Sequence, residues 1–391
     1  MLALSHEKVE EYKSQLASQV DQSGKAGTSG YVREEKQDEG IYKELVVRME
    51  KLCDNLQEQR KQMKPPKEYP KNEEFKDAKV VASYPSHEST KPGIIDLDVH
   101  PIHENFIMSG GKDSNVVLLD HVQGKVVRKF GPFDSKKKNV GITVSRFVPG
   151  MNELYGLFGG SDGSAGLWSL DVAQERYQEK YSIKTHSSGI TDVTFQPLNE
   201  YVAVASKDKS WSFHNLFQGV KLASFQEEQE INQIEFHPDG LMLVTGLKNG
   251  TIKIYDIRSN QEIFKMTDYQ GELSSISFSN KGLNFAAAWK SSDVCRVFNL
   301  RKLGKEVNEV KLSAGVNSVS FDHYGGLLLA GAGSGLTIHA AKKWDDAPLF
   351  FEEKAHNQGV VNVAKFSTSG RHIVSGGAED RFMKVFEVPK V

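Results

Sequence analysis

Apolar and polar residues follow two different periods along this chain of 391 residues. In residues 1–22 and again in 41–63, apolar side chains recur every three or four positions, which is the spacing of one helix face. From about Lys79 onward they alternate with polar ones, as in strands that bury one face. The pattern therefore predicts a helical N-terminal part followed by a larger all-β part.

The first helical segment has the a and d spacing of a coiled coil, with Leu2, Val9, Tyr12 and Leu16 on one seam. We expect residues 1–22 to be the end of a coiled coil that associates with further copies of the chain, with packing on the main body as the alternative. Residues 23–40 are rich in glycine and charge, so their apolar surface is too small to offset the entropy of folding. They are predicted to be a flexible linker.

The helix predicted over 41–63 carries one apolar stripe, formed by Ile41, Leu45, Met49, Leu52 and Leu56. Pro65 and Pro66 end it, because proline cannot continue a helix and disfavours helical backbone in the preceding residue. Residues 64–78 then form an extended linker. The stripe either packs on the main body or binds a partner, and the residues favour neither.

Seven segments of the all-β part share one signature, an alternating apolar strand that ends in Phe or His before a turn. These final residues are 41 to 48 positions apart: His100, Phe147, Phe195, Phe236, Phe278, Phe321 and Phe366. Each is followed by a second strand of small apolar residues, a tight turn and a third alternating strand. Repeats of this length are typical of four-stranded WD-repeat blades. The predicted fold is a seven-bladed WD-repeat β-propeller over 79–391, preceded by α-helical segments.

The seventh repeat has enough sequence for only three strands, because it ends with VFEVPKV. Residues 79–84, KVVASY, precede the first repeat and alternate like a strand. We therefore expect them to provide the fourth strand of the last blade. This closure would remove the exposed sheet edge that an open ring would have.

A regular WD repeat contains a buried His, Ser or Thr, Asp and Trp that are joined by hydrogen bonds. Two repeats retain three of these residues: His186, Ser206 and Asp208 in the third, and His356, Ser375 and Asp380 in the seventh. Because they recur at the period of the blades, we interpret them as a structural hydrogen-bond network rather than as catalytic residues. The Trp position holds Leu119, Trp168, His214, Tyr255, Phe298, His339 and Phe386.

Charge and motif content narrow the function. The 49 basic and 51 acidic residues nearly balance, which gives no strong signal for direct binding of nucleic acid or membranes. The sequence has no apolar run of membrane-spanning length and no secretory signal, so we expect a soluble intracellular protein. Cys53 and Cys295 are too few for a disulfide framework or a zinc site. No catalytic residue, metal or cofactor is predicted. Lys136–Lys138 are interpreted as a solvated loop tip, or alternatively as a nuclear-import or RNA-facing patch.

Several stretches of the sequence resemble one particular family, and the resemblance goes beyond the general pattern of WD-repeat blades. These stretches are 81–94 with 108–120, 206–216, 235–258 and 276–303. Trp211 and Phe213, in a repeat without the WD dipeptide, and the run FNLRKL at 298–303 are the most specific. From about Ile41 onward the chain resembles the pre-mRNA-processing factor 19 family, spliceosome-associated U-box ubiquitin ligases with a C-terminal propeller. Residues 1–20 resemble the end of the family's coiled coil.

This resemblance implies a nuclear scaffold that docks proteins of the spliceosomal complex and substrates for ubiquitination. In the family, the ubiquitin-conjugating enzyme binds the U-box, and no U-box residue is present in this sequence. We therefore expect a truncated sequence or an incomplete gene model, with a natural short form as the alternative, and we expect the chain to be inactive as a ligase alone. The alternative is a non-enzymatic WD-repeat scaffold of another complex, for example one like a G-protein β subunit.

Overall fold

The computed structural model shows a ring of seven antiparallel sheets, each with four strands, which confirms the predicted seven-bladed propeller. The residues described are 39–88, 93–130, 140–151, 153–174, 176–302, 306–341, 343–344, 346–357 and 359–390. The coiled coil predicted over 1–22, nearly all of the linker predicted over 23–40 and Lys136–Lys138 lie outside them.

The strands of blades one to six follow chain order from the central channel to the rim. Blades one to three contain Ile94–Val99, Phe106–Gly111, Val116–Asp120 and Lys125–Phe130; Ile142–Phe147, Tyr155–Gly160, Ala165–Asp171 and Arg176–Ile183; and Ile190–Phe195, Tyr201–Ser206, Ser210–Asn215 and Val220–Gln226. Blades four to six contain Ile231–Phe236, Met242–Leu247, Ile252–Asp256 and Gln261–Met266; Leu273–Phe278, Asn284–Trp289, Val294–Asn299 and Glu306–Lys311; and Val316–Phe321, Leu327–Ala332, Gly335–Ala340 and Phe350–Glu352.

Blade seven takes its outer strand from the start of the propeller sequence. Its first three strands are Val361–Phe366, His372–Gly377 and Phe382–Glu387. The strand Lys79–Pro85 pairs antiparallel with Phe382–Glu387, with a bulge between Val80 and Ala82. The two ends of the propeller therefore meet in one sheet, and backbone hydrogen bonds close the ring.

Strand register identifies the equivalent residues of the repeats. Val99 pairs with Ile107 as Phe147 pairs with Gly156, so Val99 ends the first inner strand. His100, the marker predicted from the sequence, is the first residue of the turn and lies one position late. The residues predicted for the Trp position occupy one register, because each pairs with the second residue of its neighbouring strand.

The core lies between neighbouring blades. At one contact, Trp211 and Phe225 of blade three stack with ring centroids 3.8 Å apart, and Tyr255 of blade four packs edge-on against Trp211. All three rings are buried. Flat contacts of this kind allow adjacent sheets to pack closely, and dispersion and burial then stabilise the ring.

The ring has two distinct faces. We call one of them the lower face; it carries the turns between the first and second strands of each blade, such as 237–240. The upper face carries the turns between second and third strands, such as 248–250, and the connections between blades. Within the described residues, the remaining elements are helix α1 (Glu39–Gln62) and two 3₁₀ helices, Asn72–Asp77 and Leu300–Lys302.

Helix α1 packs on the lower face of blades three and four. Leu45, Met49 and Cys53 are buried in one cluster with residues of both blades. Arg48 forms a 2.7 Å ion pair with Glu200, in the first lower turn of blade three. The buried stripe therefore follows steps of four residues, whereas the predicted Leu52 and Leu56 are only partly buried. The side chain of Ile41 lies outside the described residues.

Residues 64–78, which we call the strap, continue along the lower face to blades six and seven. The Tyr69 hydroxyl donates a 2.7 Å hydrogen bond to Asp322. Phe75 is completely buried and packs edge-on against Phe366. Arg371 binds the Glu68 carbonyl at 2.6 Å and the Glu74 carboxylate at 3.0 Å. Helix α1 and the strap together occupy lower-face positions on blades three, four, six and seven.

Candidate functional site at the central channel and the blade networks

The seven inner strands surround a central channel of about 1100 Å³. Polar side chains of one inner strand accept hydrogen bonds from backbone N–H groups of the next blade. Asp96 accepts one from the Ser145 N–H at 2.9 Å, Thr194 from the Phe236 N–H at 3.0 Å and Ser277 from the Phe321 N–H at 3.1 Å. Asn362 of blade seven donates to the carbonyls of Ile94 and Ile95 at 3.0 and 2.8 Å. This belt satisfies backbone groups that no sheet pairs, so much of the channel's polarity is structural.

An ionic cluster crosses blades one to three within the channel. Arg146 is hydrogen-bonded to Asp96 and lies 3.5 Å from Asp192. Burial disfavours the charged guanidinium, but the neighbouring carboxylates outweigh it and raise the pKa of Arg146. Burial raises the pKa of Asp192 to about 6, although Arg146 partly opposes this shift. The arginine is therefore held by its neighbours rather than presented to a ligand.

Glu235 is a half-buried residue, and only one oxygen of its carboxyl group is hydrogen-bonded among the described residues. Oε1 accepts the Phe278 N–H at 3.2 Å, and Oε2 has no hydrogen-bond partner among the described residues. Burial raises the pKa of Glu235 to about 8. The group is therefore mostly protonated at neutral pH, which lowers the negative charge of the channel.

The three residues predicted in blade seven lie together. The His356 ring is hydrogen-bonded to Asp380 through Nδ1, at 2.8 Å, and to Ser375 through Nε2, at 2.9 Å. The His356 side chain is fully buried. His356, Ser375 and Asp380 thus link the connection before the blade, the second strand and the following turn. A structural role for them remains a prediction.

In blade three, Nδ1 of His186 lies 3.1 Å from the Asp208 carboxylate, as expected. The serine that is hydrogen-bonded to Nε2 of His186, at 2.7 Å, is Ser212 and not the predicted Ser206. Ser212 also bonds His214 at 2.8 Å, and His214 fills the Trp position. The network is therefore Asp, His, Ser, His, with the serine on the third strand.

Register explains why Ser206 does not occupy the predicted place. Ser375 pairs with Ala364, and the residue of blade three in that register is Val204, which pairs with Val193. Ser206 lies two residues further along the strand. Its hydroxyl donates to the Ser188 carbonyl at 2.8 Å and accepts the Asp208 N–H at 3.1 Å.

A third network, in blade one, was missed by the sequence analysis. The His87 ring is hydrogen-bonded to Asp113 through Nδ1, at 2.9 Å, and to Ser109 through Nε2, at 3.0 Å. Ser109 pairs with Leu97, the same register as Ser375. The available signal was the shared Ser-Gly-Gly at 109–111 and 375–377, each followed closely by an aspartate.

Blade four has an ionic form of the network. Glu227 accepts hydrogen bonds from the Tyr255 hydroxyl and from Thr245, and Thr245 occupies the register of Ser375. Lys253, completely buried, lies 2.9 Å from Glu227 and 3.1 Å from Glu262. Such a charge is stable in the interior only when it is paired.

No group of three or more His, Cys, Asp or Glu side chains among the described residues is arranged to hold a metal ion. No helix in that part of the chain has the length and apolar character required to span a membrane.

The seven sheets and their repeated register define a WD-repeat β-propeller protein. The family model for the WD domain, G-beta repeat, matches residues 349–387, and that for the N-terminal domain of nucleolar protein 10-like proteins, a β-propeller, matches 157–340. The chain is 29% identical to pre-mRNA-processing factor 19 of Oryza sativa subsp. japonica over 317 residues, and 28% identical to pre-mRNA-processing factor 19 homolog 2 of Arabidopsis thaliana over 361. These findings confirm the resemblance identified in the sequence.

Coverage differs between this chain and its relatives. The matches include 79% and 90% of this chain but 58% and 65% of the two plant proteins. Pre-mRNA-processing factor 19 of Bos taurus is 28% identical over 355 residues, which are 89% of this chain and 67% of the bovine protein. The similarity therefore extends over most of this chain, while this chain spans less than two thirds of the plant relatives.

Proposed function

We propose that this chain is a WD-repeat docking scaffold for proteins that act in pre-mRNA splicing. The observation that carries the proposal is the similarity to pre-mRNA-processing factor 19 over 79–90% of the chain in the two plant relatives. The geometry is consistent with it, because most of the polar groups described in the channel and blades are hydrogen-bonded or ion-paired within the ring. Binding would then use loops that a rigid ring presents.

Docking is proposed to use the upper face. Helix α1 and the strap already occupy positions on the lower face of four blades, through contacts such as Arg48 with Glu200 and Tyr69 with Asp322. The upper turns carry exposed charged side chains, including Lys207 and Lys248. A partner would reach these groups without displacing the chain's own segments.

The finer part of the proposal concerns ubiquitin transfer. By the family resemblance, the propeller would hold substrates of a nuclear U-box ligase close to the ubiquitin-charged enzyme. Such a role needs no catalytic side chain in the propeller, because proximity and orientation supply the rate enhancement.

Affinity purification of the tagged chain from nuclear extract, followed by mass spectrometry, tests the proposal. Splicing proteins should be enriched over a control with the tag alone. Recovery of only G-protein or trafficking proteins would contradict it and would favour a scaffold of another complex.

A further inference from the structure

One position repeats around the upper mouth of the channel, the first residue after each second strand. In six blades its backbone N–H donates to a carbonyl in the connection before the inner strand. The donors and acceptors are Ser161 and Gly141, Lys207 and Gly189, Lys248 and Glu230, Lys290 and Glu272, Gly333 and Gly315, and Ala378 and Val360. Lys112 follows the second strand of blade one. The backbone therefore fixes where these side chains begin.

Lysine occupies this position in four blades, and the residue before the inner strand decides whether its charge is compensated. In blades four and five that residue is a glutamate, and it pairs with the lysine: Glu230 with Lys248 at 3.0 Å and Glu272 with Lys290 at 2.6 Å. In blades one and three it is a glycine, Gly93 or Gly189. Within the described residues, Lys112 and Lys207 form no ion pair, and both are exposed.

The aspartates next to these two lysines are engaged elsewhere. Asp113 bonds His87 at 2.9 Å, and Asp208 bonds His186 at 3.1 Å. Between the two lysines, blade two presents Ser161, whose hydroxyl accepts the Gly141 N–H at 3.1 Å. Lys112, Ser161 and Lys207 all line the channel mouth, and we call them the lysine arc.

We propose that the lysine arc binds an acidic segment of a partner protein at the upper mouth of the channel. The inference rests on the proposed docking function and gives it a binding surface and a partner chemistry. Two uncompensated ammonium groups on fixed backbone attract carboxylates, and the paired lysines of blades four and five limit the positive region to one sector.

The aromatic residues favour a peptide over single-stranded nucleic acid. Proteins that bind single strands combine a basic groove with exposed aromatic rings on which bases stack. Among the described residues, the highly exposed aromatic side chains are Phe217 and Phe351. Phe217 follows a third strand on the lower face, and Phe351 lies on an outer strand. Neither provides a stacking surface at the lysine arc.

Fluorescence anisotropy with a labelled deca-glutamate peptide tests the proposal on the full chain. K112A/K207A should weaken binding about fivefold to tenfold, because the variant loses two exposed ion pairs with the peptide. K248A/K290A is the matched control, since it removes lysines at the same position that are already paired, and it should weaken binding much less. K112R/K207R should retain binding, and added salt should reduce it.

Three results would overturn the inference: a wild-type chain that does not bind the peptide at low salt, equal losses in both alanine pairs, or tighter binding of a ten-nucleotide RNA than of the peptide. The purification experiment separates this inference from the proposed function. If K112A/K207A binds the peptide as the wild type does while splicing proteins are still recovered, the lysine arc is wrong and the docking function stands.

Discussion

Val80 pairs with Phe386 across the outer and third strands of blade seven, and so joins the two ends of the propeller sequence. Phe386 is completely buried, in a cluster that also contains Phe350 of blade six. The outer strand therefore covers the backbone edge of the third strand, which would otherwise expose unpaired N–H and C=O groups.

Removing this strand should weaken the whole ring. A chain that begins at residue 86 is expected to melt several degrees below one that begins at 79, because blade seven loses its outer strand. Both chains lack helix α1 and the strap, so the comparison isolates the strand. Differential scanning calorimetry measures the difference, and identical melting temperatures would contradict closure by Lys79–Pro85.

The strap should depend on Phe75. Replacing this buried ring with alanine (Phe75→Ala) is expected to cost about 3 kcal/mol in the free energy of strap docking, through lost burial and the cavity left behind. Limited proteolysis should then cut the strap faster. Phe351→Ala is the control, since Phe351 is 53% exposed and its loss should leave the cleavage rate almost unchanged. Equal cleavage rates for Phe75→Ala and wild type would show that Phe75 does not anchor the strap.

The blade networks predict where mutational coupling is found. A double-mutant cycle in urea unfolding should give about 1 kcal/mol of coupling between His356 and Ser375, and a similar value between His186 and Ser212. His186 and Ser206 share no direct hydrogen bond and are linked only through Asp208, so their coupling should be clearly smaller. A larger coupling with Ser206 than with Ser212 would support the network expected from the sequence instead.

Glu235 should make stability depend on pH. Its folded-state pKa of about 8 lies above the ordinary value of 4.5, so the folded state binds the proton more tightly. This contribution is complete below pH 4.5 and is lost as the pH rises through 8. Glu235→Gln keeps an acceptor for the Phe278 N–H but does not ionise. Between pH 5.5 and 8 it should lose about 2–3 kcal/mol less stability than wild type. Equal losses for the two proteins would refute a raised pKa.

Much of the fold follows from the sequence because each blade repeats the same local rules. Alternation predicts strands, and glycine-containing turns separate them. The repeat length predicts the blade, so agreement over seven repeats outweighs the weakness of any one. Register was harder to predict: Ser206 and the structurally equivalent Val204 lie on the same strand two residues apart, and a count along the sequence does not separate them.

Contacts between distant segments were less accessible to sequence reasoning. The stripe of α1 was expected to include Leu52 and Leu56, but the burial of Cys53 and Gln57 rotates it toward blades three and four. The uncompensated lysines emerge only when Lys112 and Lys207 are compared with their equivalents in other blades. That comparison needs the register and the partner residues together, and only the structure gives both.

Crosslinking mass spectrometry on complexes recovered from nuclear extract tests most directly whether partners dock on the upper face. We predict that crosslinks to partner proteins are concentrated at upper-face lysines such as Lys112, Lys207 and Lys248. Lower-face lysines such as Lys64 and Lys281 should crosslink mainly within the chain. Partner crosslinks concentrated on the lower face, with the upper-face lysines free of them, would contradict the account.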